Sequence, residues 1–150
     1  MSTKRTSIIK ALAEKLKEID GTNGYQTNIY NNSYPKLKFW DEINDFPSIY
    51  MSPGSEVREY HPSQFAWGFL NIGIKVYVKG EESQEELEML LSDIEKCIDK
   101  NRNLVYDTDN SSDTTEILIT SIVTDEGVLS PYGVGEISVQ VRYPINTVNY

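Results

Sequence analysis

Cysteine and histidine are nearly missing from this 150-residue chain, which has one of each, Cys97 and His61. A single cysteine excludes an intrachain disulfide and a cysteine-rich zinc site, and it fits a cytosolic setting. A single histidine excludes any site built on two imidazoles. Long apolar runs are absent as well. None approaches the roughly 20 residues of a membrane helix. At the N-terminus, Lys10 interrupts the apolar stretch before a signal-peptide core can form. Basic residues are outnumbered, 14 against 23 acidic, for a net charge of −9. That surplus argues against a nucleic-acid-binding module, which needs a basic stripe to release counterions from phosphate. It argues equally against an anionic membrane surface as partner.

What remains is ordinary for a soluble globular chain: 39% apolar and 25% charged residues. The length suits one domain, 1–150, whose core can bury roughly 68–70% of the unfolded surface. No repeat or internal linker divides it.

Periodicity predicts the elements. Ile8, Ile9, Leu12, Leu16 and Ile19 recur at three- and four-residue steps, the mark of an amphipathic helix. Thr3 fits its N-cap and Gly21 its stop. Tyr25–Tyr30 reads as a strand, and Asn31–Pro35 as a turn. Ile49-Tyr-Met51 reads as a short strand ended by Ser52-Pro-Gly-Ser55. Residues 52–67 then form an irregular arm or hairpin. Leu70, Ile72, Ile74, Val76 and Val78 alternate with more polar residues, the pattern of a central antiparallel strand. Ser83-Gln-Glu-Glu86 has the form of a capping box. It opens a helix whose stripe is Leu87, Leu90, Leu91, Ile94, Cys97 and Ile98. Asp107–Asp113 reads as an acidic loop. Thr115–Val123 reads as a strand with Ile117, Ile119 and Val123 on one face and Leu118 and Ile122 on the other. A last strand runs from Gly133 to Tyr143, Pro144 ends it, and 145–150 form a tail. The class is α+β: a largely antiparallel mixed sheet, two amphipathic helices on one face, and the arm.

No catalytic constellation emerges. His61 lies in an irregular stretch with no partner that sequence can place, so it reads as an exposed loop histidine. Cys97 sits on an apolar helix stripe and reads as a buried structural thiol, not a nucleophile. Asp107, Asp109 and Asp113 fail the EF-hand pattern. Ser112 stands where the turn glycine belongs, and Leu118 where the bidentate glutamate belongs. Gly133-Val-Gly135 precedes a strand and is no dinucleotide fingerprint. The sequons at Asn31 and Asn110 have no secretory context, and Glu81–Glu86 reads as helix capping. The chain therefore carries no catalytic, cofactor or metal site. Aromatics are the remaining peculiarity, crowded between Tyr25 and Phe69. Such side chains outside regular elements mark protein–protein interfaces or pin a loop to its own domain.

The element order now resembles a known family. An N-terminal amphipathic helix, the Phe46-Pro-Ser-Ile-Tyr-Met51 entry, the Leu70–Lys79 strand before a Glu-rich helix and the closing Ile137-Ser-Val-Gln-Val-Arg-Tyr143 strand are similar to the tail terminator (tail completion, minor tail U-like) proteins of long-tailed bacteriophages. The resemblance implies a non-enzymatic virion tail protein, assembled in the host cytoplasm. It implies a homo-oligomeric ring, a hexamer, that caps the tail tube protein, ends polymerisation and offers a surface to a neck or head-completion protein. DNA would cross the channel without specific binding, and no membrane or cofactor would be involved. A head–tail connector or tail-tube-related protein is the alternative, and a small hydrolase a more distant one. For the subunit interface the candidates are Arg58, Glu59, Tyr60 and Trp67 on the arm and Arg142 on the last strand, since arginine and aromatic residues are the usual anchors. On this reading Arg58→Glu weakens self-association and leaves the fold intact.

Overall fold

The computed structural model describes residues 3–107, 112–113 and 116–148, with only the backbone described at 112–113. Helix α1 spans Lys4–Leu16. Strand β1 is Ser33–Tyr34, a 3-10 turn covers Trp40–Glu42, and β2 runs Ser48–His61. Strand β3 is Phe65–Lys79 and α2 is Ser83–Lys100. Short β4 (Val105–Asp107) pairs with β5 (Ser112–Asp113). Long β6 (Glu116–Thr124) and β7 (Tyr132–Asn146) close the chain. The main sheet has five strands in the order β1-β2-β3-β7-β6. It is mixed, because β1 lies parallel to β2 and every other pairing is antiparallel. The class is α+β.

Strand β3 occupies the centre of the sheet, and its alternation runs through nearly its whole length. Leu70, Ile72, Ile74, Val76 and Val78 are all buried, and each contributes roughly 1.5–3 kcal/mol of apolar transfer. Directly paired residues share a face. The register therefore sets Ile137, Val139 and Val141 of β7 and Ile49 and Met51 of β2 beside that row. These residues join the stripes of both helices in one apolar cluster. We call this the core face of the sheet and the other the outer face.

Thr3 caps α1, its hydroxyl oxygen accepting from the Thr6 N–H at 3.1 Å. The helix ends near Leu16, and three i−3 bonds, from Lys17, Glu18 and Ile19, then tighten the chain. This overwinding keeps Ile19 on the stripe, so the pattern runs past the helix itself. The strand expected at Tyr25–Tyr30 does not form; only an Asp20–Asn28 bridge does. A carboxylate takes over the role of a partner strand. Buried Asp93 of α2 accepts from the Gln26 N–H, from the Thr27 N–H at 2.8 Å and from the Thr27 hydroxyl at 2.6 Å.

Other boundaries shift for local reasons. Ser52–Ser55 does not end a strand; it forms a bulge between Pro53 and Glu56, after which β2 continues. Residues 52–67 are consequently regular strand on both sides of a turn at Pro62–Gln64. Ser83 does not form a capping box: Glu82 holds the cap position, without a side-chain bond, and Ser83 is the first helical residue. A bulge at Thr120 inverts the second half of β6. Ile122 then pairs with Ile137 on the core-face side, and Val123 pairs with Glu136 on the outer side. The expected grouping of Val123 with Ile117 therefore fails. Pro144 does not end β7, which continues to Asn146. The pairing of β6 reaches no further than Arg142, and a strand with one neighbour tolerates the missing N–H. Asp107 and Asp113 lie in the β4–β5 ladder, not a loop. Asp109, the Asn110 sequon position and Thr115 lie outside the described residues.

Asp93 gives a direct test. Asp93→Ala strands three donors of the 26–27 segment, and each charged hydrogen bond is worth about 1.5–3 kcal/mol. Urea unfolding should show a loss of about 2–4 kcal/mol. A loss under ~0.5 kcal/mol would mean that the carboxylate does not hold this segment.

Candidate assembly surface

The five candidate residues converge on the distal half of the β2–β3 hairpin and the end of β7, but on two different faces. Glu59 pairs with Trp67, and Trp67 with Pro144; Val57 pairs with Phe69, and Phe69 with Arg142. Glu59, Trp67 and Arg142 therefore share the outer face. Arg58 pairs with Gly68 and Tyr60 with Ala66, which places both on the core face, beside the Ala66–Tyr143–Ile145 end of the apolar cluster. Strand alternation forces this division.

On the outer face the Arg142 guanidinium sits 4.7 Å above the Trp67 ring, a cation–π geometry. The Phe65 ring meets Trp67 edge-on at 4.9 Å. His61 is the last residue of β2 and not a loop residue; its Nε2 lies 2.6 Å from a Glu59 carboxylate oxygen. On the core face the Arg58 Nε–H donates to Glu56 at 2.8 Å. The Glu56 side chain is only 6% exposed and also accepts from the Tyr143 hydroxyl. Burial, reinforced by that bond to Glu56, raises the Tyr143 pKa, so the phenol remains a donor. Tyr143 reaches Glu56 across Gly68, where an added Cβ would come within 2.7 Å of the ring. Three strands are tied at this point. Arg58→Glu would set a second carboxylate against buried Glu56, so that substitution perturbs the hairpin as well as its surface.

The outer face is covered at its other end. There Tyr34 and Tyr50 donate to the two oxygens of Asp45 at 2.8 and 3.0 Å. The Tyr77 hydroxyl donates to the Lys38 carbonyl at 3.0 Å. Burial first, then the bond to Asp45, raises the pKa of Tyr34 and Tyr50 and keeps both protonated. These bonds hold the 35–47 segment over the sheet. Beside it lies an apolar cleft of about 530 Å³, floored by Tyr77 and Val134 and rimmed by Leu37, Phe39 and Trp40. Phe39 is 75% exposed. In the sequence Phe39 and Trp40 stand only within the general aromatic excess between Tyr25 and Phe69, and nothing there marks the cleft. Glu56, Asp45 and Asp93 were missed altogether. An acidic residue among apolar neighbours was the available signal for Asp93.

Cys97 is buried on α2, and burial pushes its thiol pKa up, away from a reactive thiolate. Among the described residues no group of three His, Cys, Asp or Glu side chains is placed to hold a metal ion. No helix among them is long and apolar enough to cross a membrane.

Comparison with known proteins settles the family. Residues 2–150 match the family model described as Bacteriophage Tail Tube Terminator Protein. The chain belongs to the phage tail tube terminator family. A relative, "Tail tube terminator protein p142" of Escherichia phage T5, is 39% identical over 149 residues, covering 93% of this chain and 92% of its own. In fold alone, a chain from "Virion of native gene transfer agent (GTA) particle" is similar at a TM-score of 0.62 and 10% identity, covering 96% of this chain and all of that one. The terminator family is one of structural tail proteins, which places this chain in the phage virion, at the tail.

The Arg142–Trp67 pair can be tested in the monomer. Arg142→Ala should cost only about 0.5–1 kcal/mol in urea unfolding and should shift the tryptophan emission, since a cation leaves the face of one of two tryptophans. Unchanged emission would show that the stack does not persist in solution.

Proposed function

We propose that the chain acts as a single domain over 1–150 and assembles into a homo-oligomeric ring, a hexamer, that caps the tail tube protein. The ring ends tube polymerisation and offers its far side to a neck or head-completion protein, and no bond is made or broken. DNA crosses the channel without specific binding, for which the acidic balance of 14 basic to 23 acidic residues is suited. Arg58, Glu59, Tyr60, Trp67 and Arg142 contribute to subunit contacts.

The observation that carries this reading is the uneven outer face. One half is closed over by the 35–47 segment, while on the other half Trp67, Phe69 and Arg142 remain partly exposed. An aromatic and arginine surface of this kind is the usual material of an interface core. Family membership supports the tail-tube partner.

Elongation of purified tube protein tests it. Chain added below the stoichiometry of tube subunits should halt growth at a fixed length, because one ring per end suffices. Continued growth with the chain bound at tube ends would favour a connector role; continued growth without binding would overturn the reading.

A further inference from the structure

Among the described residues the sheet has two open edges. On one side β6 pairs with β7 alone. On the other, β1 covers β2 only at Ile49 and Tyr50, so beyond Met51 strand β2 has one strand neighbour. An open edge presents a row of N–H and C=O groups ready to take another strand.

The two edges are built differently. In β2 the first part is blocked: Pro53 lacks an N–H, the bulge follows, and the Arg5 guanidinium donates to the Gly54 carbonyl. Beyond the bulge, Glu56–His61 is regular, and its Val57 and Tyr60 are 63% and 65% exposed. In β6, by contrast, Glu116-Ile-Leu-Ile-Thr-Ser-Ile-Val-Thr124 contains no proline and no cation, and its one charge stands at the first position. Val123 is 57% exposed, with Leu118 and Ile122 partly so. A β-branched edge of this length with a single charge, at its first position, is an aggregation hazard unless something covers it.

A closed ring needs a heterologous contact, in which one patch meets a different patch on the next copy. Two unlike edges on opposite sides of a single sheet supply such a pair. A β6-to-β6 contact would be isologous and would stop at two copies. We propose that β6 of one copy adds, strand to strand, to the Glu56–His61 edge of β2 in the next. This rests on the ring reading and assigns the surfaces that meet in it. Backbone ladder bonds supply the adhesion, and Val57 and Tyr60 pack against the exposed apolar residues of β6.

Two variants of the full chain test the pairing. Leu118→Lys with Val123→Lys guards the β6 edge, and Val57→Lys with Tyr60→Lys guards the β2 edge; all four positions are exposed. Under conditions where the wild type assembles, alone or beside tube protein, each variant should remain monomeric. Their mixture should form a two-chain species and nothing larger, because each retains the edge that the other lacks. Hydrogen exchange needs no variant: amides of 116–124 should slow on the order of tenfold or more in the assembled wild type relative to its dilute monomer, while those of β3 should not change. Assembly of both variants, dimers of the β2-guarded variant alone, a mixture that stays monomeric, or unslowed 116–124 amides would each overturn the edge pairing and leave the ring reading standing. A wild type that stays monomeric even beside tube protein would remove the ring reading, and the pairing with it.

Discussion

The pairing of β3 on both sides is the constraint from which the rest of the molecule follows. Every residue of β3, Phe65 to Lys79, is matched to a residue of β7, while β2 flanks it on the other side across a single bulge. A strand has only two faces, and a slip of one residue would exchange them. The row Leu70–Val78 can be buried in one register only. That register commits Trp67, Phe69, Lys75 and Tyr77 to the outer face. Cross-strand matching then brings Arg142 above Trp67 and Glu136 to 2.7 Å from Lys75. The candidate surface is thus a by-product of core formation, placed by the same hydrogen bonds that hold the core.

The two halves of the outer face illustrate the alternatives open to aromatic residues. At one end, hydroxyl groups direct the packing. Tyr34, Tyr50 and Tyr77 find acceptors on Asp45 and Lys38, and a chain segment closes over them. At the other end, Phe65 and Trp67 meet each other, with Arg142 over Trp67 and the His61 ring beside Phe65. The first arrangement closes that end of the face, and the second leaves its aromatic side chains partly exposed. The hairpin also carries its own support, because Tyr143 reaches across Gly68 to the carboxylate of Glu56. A projecting pair of strands without such a tie would be poorly suited to a contact that must hold its shape.

Where one physical signal dominates, the sequence is legible. The period-two row of β3 and the stripe of α2, Leu87 to Ile98, predict both elements and their buried faces, because burial of one face is the dominant signal in each. Legibility fails where a second interaction overrides the pattern. Tyr25–Tyr30 has strand-like composition, yet Asp93, more than sixty residues away, captures its N–H groups. Ser52–Ser55 has turn composition, yet the ladder resumes after a bulge. In β6 the bulge at Thr120 exchanges faces mid-strand, and no local residue announces it. The same holds for the surface. Arg58, Glu59, Tyr60, Trp67 and Arg142 could be chosen by residue type, and the hairpin and β7 do bring them together. Their division between two faces depends on register, which residue type does not encode. The family, in contrast, was legible through element order, which survives when individual residues change.

An assembly mechanism places unusual demands on a single sheet: one face must close a core while the other, and its edges, stay available. Native mass spectrometry of the full chain across a range of concentrations, alone and bound to tube ends, tests that claim most directly. The account predicts a single closed stoichiometry above the monomer, without open-ended higher species. A chain found only as a monomer, free and on the tube alike, would contradict it.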